Sequence, residues 1–447
     1  MGKRIMSRRR LLQGIGAAGV AGLAGCAGTG GGPSDVTLGI IQPLSGSLSY
    51  YGQQALWGFY SGLAYKGDTD PVSEAATGSF TTEVDGTEYR MLVRDTQLSQ
   101  DTAQTLATDL VQNEDVDMLI GPTSSAAANR VIDTVAKPEN VPIMIGPAAS
   151  AGITSNQASC GENVFRASEN TAMDARSGGR YVAEQGDVTS VYLFGADYSF
   201  GQAVVNNYET VLREQGVEIA GKRFVESGTS EWEGLLDNAE QSGADGMVAG
   251  FTVSTLPAIF TTYLQGDYSF QVFGGFATRI TNNIIGGVLQ NTIEGELTRE
   301  KLQQSGLGPF TTRYHWNQYD NEINNSFVET YTNAYGTVPD LFTSGLFTAA
   351  SAIVQGVQQS GSSAGADIAA ELRGMTVTDT PKGENAYTFQ EYNNQARSAM
   401  TVADVVPTQS EYSETWGAPV QPSEPVATIP ADQTTIPQDA EGMNCSL

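Results

Sequence analysis

The chain of 447 residues has a single histidine, His315, three cysteines, Cys26, Cys160 and Cys445, and only six lysines. Each shortage removes a class of chemistry. A His-rich metal centre is impossible, and a nucleophile paired with histidine would have to use His315. No G-x-S-x-G serine elbow falls at a strand-to-helix turn. Basic residues are also scarce: 23 Lys plus Arg stand against 50 Asp plus Glu, for a net charge of -27. Nucleic acid is therefore not an expected partner, because neutralising phosphates needs a basic face.

What remains is ordinary globular material, 40% hydrophobic and 16% charged with 51 glycines, long enough for two or three domains. A Lys-poor, acidic surface suits concentrated salt, where screening removes most self-repulsion; the plainer reading is an acidic exported protein. Residues 1–35 read as a leader: a basic start, a Gly- and Ala-rich apolar stretch, then small residues and a cysteine. Ser7-Arg8-Arg9-Arg10-Leu11-Leu12 looks like a twin-arginine export signal. Leu23-Ala24-Gly25-Cys26 looks like a lipobox, in which Cys26 is lipidated and becomes the first mature residue; the alternative is an uncleaved signal anchor. The following Gly-rich residues would be a flexible tether. Loss of Lys3, Arg4, Arg8, Arg9 and Arg10 with the leader takes the charge from -27 to about -32. Cys160 and Cys445 remain, in an oxidising compartment, and are expected to pair as a disulfide, the alternative being two free thiols.

From Val36 onward, short apolar runs alternate with amphipathic segments, the pattern of α/β architecture with parallel sheets. Strands are expected at 36–41, 89–95, 117–120 and 141–145, and in a second unit at 190–194, 217–225, 245–250 and 271–274. The helix after Ile120 should start near Ser124 and stop at Pro138. Gly67 to Gly86 reads as a surface insertion. Tyr387 to Tyr392 and Met400 to Val406, joined by Asn393-Asn394, read as a hairpin, and Pro407 to Leu447 as an extended Pro-rich tail.

Six motifs carry a resemblance: Gly39-Ile40-Ile41-Gln42-Pro43-Leu44-Ser45-Gly46, Tyr51-Gly52, Ile120-Gly121-Pro122-Thr123-Ser124-Ser125, Ile145-Gly146-Pro147-Ala148-Ala149-Ser150, Phe165-Arg166 and Asp197-Tyr198-Ser199-Phe200-Gly201. In this order the chain resembles the branched-chain amino-acid-binding proteins, leucine/isoleucine/valine receptors of ABC importers with the type I periplasmic-binding fold, in a form like the haloarchaeal lipoproteins. The resemblance runs from about Val36 to Val406. It implies two Rossmann-like α/β lobes with mostly parallel central sheets joined by a three-crossover hinge. Lobe 1 would hold 36–168 plus 310–378 and lobe 2 169–300 plus 384–406, with 407–447 as the tail. It also implies a non-enzyme without cofactor or metal, lipid-anchored on the outer face of the cell membrane. Its partners would be a small-molecule solute and the permease and ATPase subunits of a transporter. The alternative is a sensory lipoprotein that presents its ligand to a chemotaxis transducer.

In an open α/β sheet, ligands sit beyond the carboxyl ends of the strands. There Ser124 and Ser125 offer hydroxyls and free N–H groups at a helix start, suited to a carboxylate, although Ser124 could simply cap the helix. The loop Pro147-Ala148-Ala149-Ser150 would supply the other half of the cradle. The resemblance implies that Ser124 or Ser125, Ala149 and Ser150 hold a ligand carboxylate. Tyr50 or Tyr51 would close on the rest of the ligand from one side and Tyr198 or Phe200 with Phe251 from the other. Where the family places an acidic residue for the ligand's ammonium, this chain has Phe276 within Gly274-Gly275-Phe276-Ala277. Either Asp197 substitutes, or the ligand carries no ammonium.

Overall fold

The computed structural model describes Pro33, residues 35–275 and residues 278–447; the leader motifs around Arg8, Arg9 and Cys26 lie outside the described residues, as does Phe276. Strand β1 (Asp35–Gln42) buries Val36, Leu38, Ile40 and Ile41 almost completely. A strand apolar on both faces needs cover on both sides. One face packs under the Ser49–Gly67 and Thr343–Ser360 helices, the other over the Gln100–Gln112 and Ser125–Val131 helices. With β2 (Gly78–Val84), β3 (Thr87–Asp95), β4 (Met118–Ile120), β5 (Ile143–Ile145) and β6 (Val164–Arg166), it forms a sheet in the order β2-β3-β1-β4-β5-β6, parallel except at the β2 edge. The expected insertion at 67–86 thus contains a strand. Asp85 and Gly86, both at positive φ, make the tight turn into β3.

The second sheet is smaller and wholly parallel: β7 (Ser190–Ala196), β8 (Glu218–Val225), β9 (Gly246–Gly250) and β10 (Gln271–Val272) in the order β10-β9-β7-β8. The helices Ser199–Glu214, Glu233–Gln241 and Leu256–Gln265 cover it, and a further helix, Arg279–Thr292, packs beside the last of these. Sequence reading missed this last helix because Thr281, Asn282, Asn283, Gly286 and Gly287 dilute its apolar stripe of Ile285 and Leu289.

Three segments cross between the lobes. The first follows β6. The second runs through β11 (Phe310–Thr312) into residues 313–320, and the third through β15 (Met400–Ala403), which pairs antiparallel with β11. The third crossing lies later than expected. Strands β12 (Thr376–Val377), β13 (Tyr387–Phe389) and β14 (Ala396–Arg397) form their own small sheet, and Val377, Tyr387, Phe389 and Ala396 sit in the core of lobe 1. Residues 384–397 therefore pack with lobe 1, not lobe 2, and the hairpin partner of β13 is β14 instead of 400–406. Val405 and Val420 belong to the lobe 2 core.

The tail is tied down along its length. Strand β16 (Val405–Pro407) pairs with β17 (Val420–Pro422), and β18 (Ala427–Ile429) adds to β15. Cys445 is disulfide-bonded to Cys160, and the Asn444 N–H donates to the Ser155 carbonyl at 2.8 Å. Strands of three residues held by backbone pairing leave no periodicity to read.

Charged groups are buried where the crossings meet. Arg313 makes a bidentate pair with Asp174, Nε to Oδ1 at 3.0 Å and Nη2 to Oδ2 at 2.5 Å. Lys382 Nζ donates to Glu169 Oε1 at 2.7 Å, to Ser398 Oγ and to the Ala399 carbonyl, while the Tyr387 hydroxyl donates to the same Glu169 oxygen. Burial alone would raise the Glu169 carboxyl, yet Lys382 and these hydrogen bonds hold it below the ordinary range.

Candidate functional site

The loops after β1, β4 and β5 in lobe 1 face those after β7 and β9 in lobe 2. Gln42, the last residue of β1, ties the lobe 1 loops together: its Nε2 donates to the Gly146 carbonyl at 2.8 Å, and its Oε1 accepts from Thr123 Oγ1 at 2.6 Å. Ser124 caps the Ser125–Val131 helix by accepting from the Ala127 N–H at 3.4 Å. Ser125 Oγ accepts from the Ser150 N–H at 3.0 Å, which locks the two loops of the expected cradle to each other. Gly52 is required because a Cβ there would fall about 2.0 Å from the Pro43 carbonyl oxygen.

Below the cradle lies Arg166, fully buried. Its Nη1 donates to the carbonyls of Ala148 at 3.1 Å and Ser150 at 2.7 Å, its Nη2 to Thr154 Oγ1 and its Nε to Gln395 Oε1. Burial, followed by the neighbouring Arg313, pushes this guanidinium down to about 9, so it stays charged at neutral pH. The Phe165-Arg166 motif thus props the loop from beneath and does not face a ligand.

Between the lobes, Leu48, Tyr51, Thr123, Ser124, Ser125, Pro147, Ala149, Tyr198, Phe200, Thr252 and Phe342 enclose a cavity of about 30 Å³. That is room for one or two waters. Tyr51 stacks edge-on against Phe342 at 4.9 Å, and its hydroxyl accepts from the Val253 N–H of lobe 2 at 3.2 Å. Burial raises the hydroxyls of Tyr51 and, to about 12, Tyr198, so both stay neutral donors and acceptors. The Tyr51–Val253 hydrogen bond thus spans the two lobes across this small cavity.

Six of the residues expected at the site line this cavity: Tyr51, Ser124, Ser125, Ala149, Tyr198 and Phe200. Of the others, Phe276 lies outside the described residues and four stand elsewhere. Tyr50 lies beside it, its hydroxyl donating to Asp340 Oδ2 at 2.7 Å. Ser150 faces a separate polar groove along the Ser199–Glu214 helix. Phe251 is buried deeper, edge-on to Trp232 at 5.2 Å, in the core of lobe 2. Asp197 corrects an expectation: it is exposed, its Oδ1 accepts from Gln202 Nε2 at 3.3 Å, and it takes no part in the lining. Its backbone explains this, because the Asp197 N–H donates to the Val225 carbonyl and the Tyr198 N–H to the Ala196 carbonyl, a tight turn that carries Tyr198 inward and Asp197 out.

The cradle loops singled out from the sequence also bring Thr123 and Pro147 to the lining, whereas Leu48, Thr252 and Phe342 were missed. Thr252 follows β9, the kind of position where a lining residue is expected. Phe342 follows no strand at all and enters at the start of the Thr343–Ser360 helix.

Two facing α/β lobes, three crossings and a cavity at the carboxyl ends of both sheets match a known architecture. The periplasmic binding protein family model matches residues 35–410. The chain belongs to the periplasmic binding protein family. Among relatives of this periplasmic binding protein, the Leu/Ile/Val-binding protein homolog 6 of Brucella abortus is 25% identical over 310 residues, covering 68% of this chain and 71% of the relative. A crystal structure of a periplasmic binding protein from Burkholderia mallei superposes with a TM-score of 0.73 at 18% identity, covering 92% of this chain and 99% of that one. A solute-binding protein of an ABC transporter from R. palustris, solved in complex with benzoate, superposes with a TM-score of 0.69 at 18% identity, covering 90% and 98%. These solved structures share the type I periplasmic-binding fold with this protein. No helix among the described residues is long and apolar enough to cross a membrane.

Proposed function

We propose that this protein is the extracytoplasmic receptor of an ABC importer, exported through the twin-arginine signal, held at the cell surface through lipidated Cys26 and working in concentrated salt. Its solute is a small organic acid with an apolar or aromatic body and no ammonium group, passed on to permease and ATPase subunits.

One observation carries the ligand class: the described cavity lining contains hydroxyls and rings but no carboxylate. A buried ammonium there would have no counter-charge, which costs several kcal/mol. A carboxylate would meet Ser124, Ser125 and the start of the helix that Ser124 caps. Tyr51, Phe200 and Phe342 would then enclose the apolar body. The relatives span both options, since one is named for branched-chain amino acids and another was solved with benzoate, an acid without an ammonium.

A thermal-shift panel in molar salt tests the reading, with benzoate, 4-hydroxybenzoate, 4-methylpentanoate, leucine and valine. At 100 times its dissociation constant, a true ligand adds about 2.7 kcal/mol of stability. Stabilisation by one or more acids is expected; stabilisation by leucine and valine alone would restore the amino-acid reading.

A further inference from the structure

Asp340 is an acidic residue that the lobe 2 loops gave no reason to expect near the cleft. It is 2% exposed and lies two residues before the cavity-lining Phe342, on lobe 1. Its Oδ1 accepts from the Leu341 N–H at 2.7 Å, and its Oδ2 accepts both the Tyr50 hydroxyl at 2.7 Å and the Arg279 backbone N–H at 2.8 Å. Arg279 is the first residue of the Arg279–Thr292 helix of lobe 2. The carboxylate thus takes up one of the N–H groups that a helix start leaves without an internal partner, and sits at its positive end. The Arg279 guanidinium lies 5.3 Å over the Tyr50 ring, and its Nη1 donates to Thr337 Oγ1 at 3.1 Å, both on lobe 1. His315 Nδ1 stands 3.8 Å from Asp340 Oδ1, beyond hydrogen-bond reach, and burial keeps the imidazole neutral.

We propose that Asp340 is a positioning residue for cleft closure: its carboxylate clasps the start of a lobe 2 helix to Tyr50 of lobe 1 and so sets the angle at which the lobes close. A buried carboxylate that loses a donor is left partly unsatisfied, so movement of Arg279 away from Asp340 is opposed by desolvation. The same geometry explains why Asp340 does not serve a ligand ammonium. Its oxygens are already engaged, and it stands behind Tyr50, outside the cavity lining. The effect on ligand release rests on the solute-binding reading; the effect on closure does not.

The test separates the N–H of residue 279 from its side chain. Arg279→Ala keeps the N–H and removes the guanidinium, whereas Arg279→Pro also removes the N–H. Proline is tolerated at a first helical position, and Thr278 before it is extended at φ -72, ψ 169, a conformation that proline permits. Small-angle scattering of the ligand-free protein in molar salt should show a larger radius of gyration for Arg279→Pro and Asp340→Ala than for wild type, with Arg279→Ala in between and Tyr50→Phe shifted in the same direction. With 4-methylpentanoate as the probe, Arg279→Pro should release ligand about tenfold faster than Arg279→Ala. Unchanged scattering in Arg279→Pro and Asp340→Ala would overturn the clasp, whatever the loss of thermal stability. If the probe does not bind wild type, the organic-acid reading suffers and the scattering still decides the clasp.

Discussion

Two regions of this protein bury polar groups, and they do so in opposite ways. Where the chain crosses between lobes, full charges are buried: Asp174 with Arg313, Glu169 with Lys382, and Arg166 spread over two carbonyls, a hydroxyl and an amide. The cavity between the lobes is lined instead by hydroxyls, rings and backbone, with no charged side chain among the described residues. The crossings must hold one geometry, and charges that are fully paired in place leave few alternatives. On the proposed reading the cavity exchanges a solute for water, and a fixed charge there would have to be resolvated each time the lobes part. Each buried acid among the described residues is bound to a partner within the protein.

The largest effect should come from breaking the crossing charges. Asp174→Ala leaves Arg313 buried without its bidentate partner and should cost about 3–5 kcal/mol in urea unfolding at constant molar salt. Replacing both residues with apolar side chains of similar volume should recover most of that loss. A loss below about 1 kcal/mol in the single variant would show that the crossings do not depend on paired charge.

A smaller effect concerns His315, which lies within the second crossing yet carries no charge. Burial pushes it down to about 3, and neither ring nitrogen has a hydrogen-bond partner among the described residues; the rings of Trp316 and Trp416 lie edge-on at 5.9 Å. A histidine lowered in the folded state binds its proton first when unfolded, so its contribution is present above pH 6.5 and lost as pH falls towards 3. Between pH 6.5 and 4.5 that amounts to about 2 kcal/mol. The Asp340 carboxyl, raised by burial, has the opposite sign, because its proton is gained earlier in the folded state. The difference between wild type and His315→Phe isolates the histidine: from pH 6.5 to 4.5 wild type should lose about 2 kcal/mol more than the variant. Equal pH slopes in the two proteins would place the charged imidazole in the folded state.

Much of this was legible in the residues. The buried strands announce themselves by continuous apolar runs such as Val36 to Ile41, the loops that follow them by Gly-Pro and Ser-Ser pairs, and the two-lobed fold by repetition of the pattern. What escaped did so for physical reasons. β2 is a half-exposed edge strand, the Arg279–Thr292 helix is diluted by Asn, Thr and Gly, and the strands of the tail are held by backbone pairing. At the site, residues on loops after strands could be listed but not aimed. Asp197 and Tyr198 are neighbours in sequence, and one turn sends the ring inward and the carboxylate outward. Asp340 and Phe342 come from a segment remote in sequence from every motif, and only folding brings them to the cleft.

The most direct test of the neutral cavity is a matched pair: calorimetric titration, in molar salt, of 4-methylpentanoate and of leucine, which differ by the α-ammonium alone. The absence of a carboxylate in the lining predicts that the acid binds at least about tenfold more tightly, a difference of about 1.4 kcal/mol or more, and that Asp197→Asn leaves both affinities unchanged. Tighter binding of leucine, with or without Asp197, would contradict it.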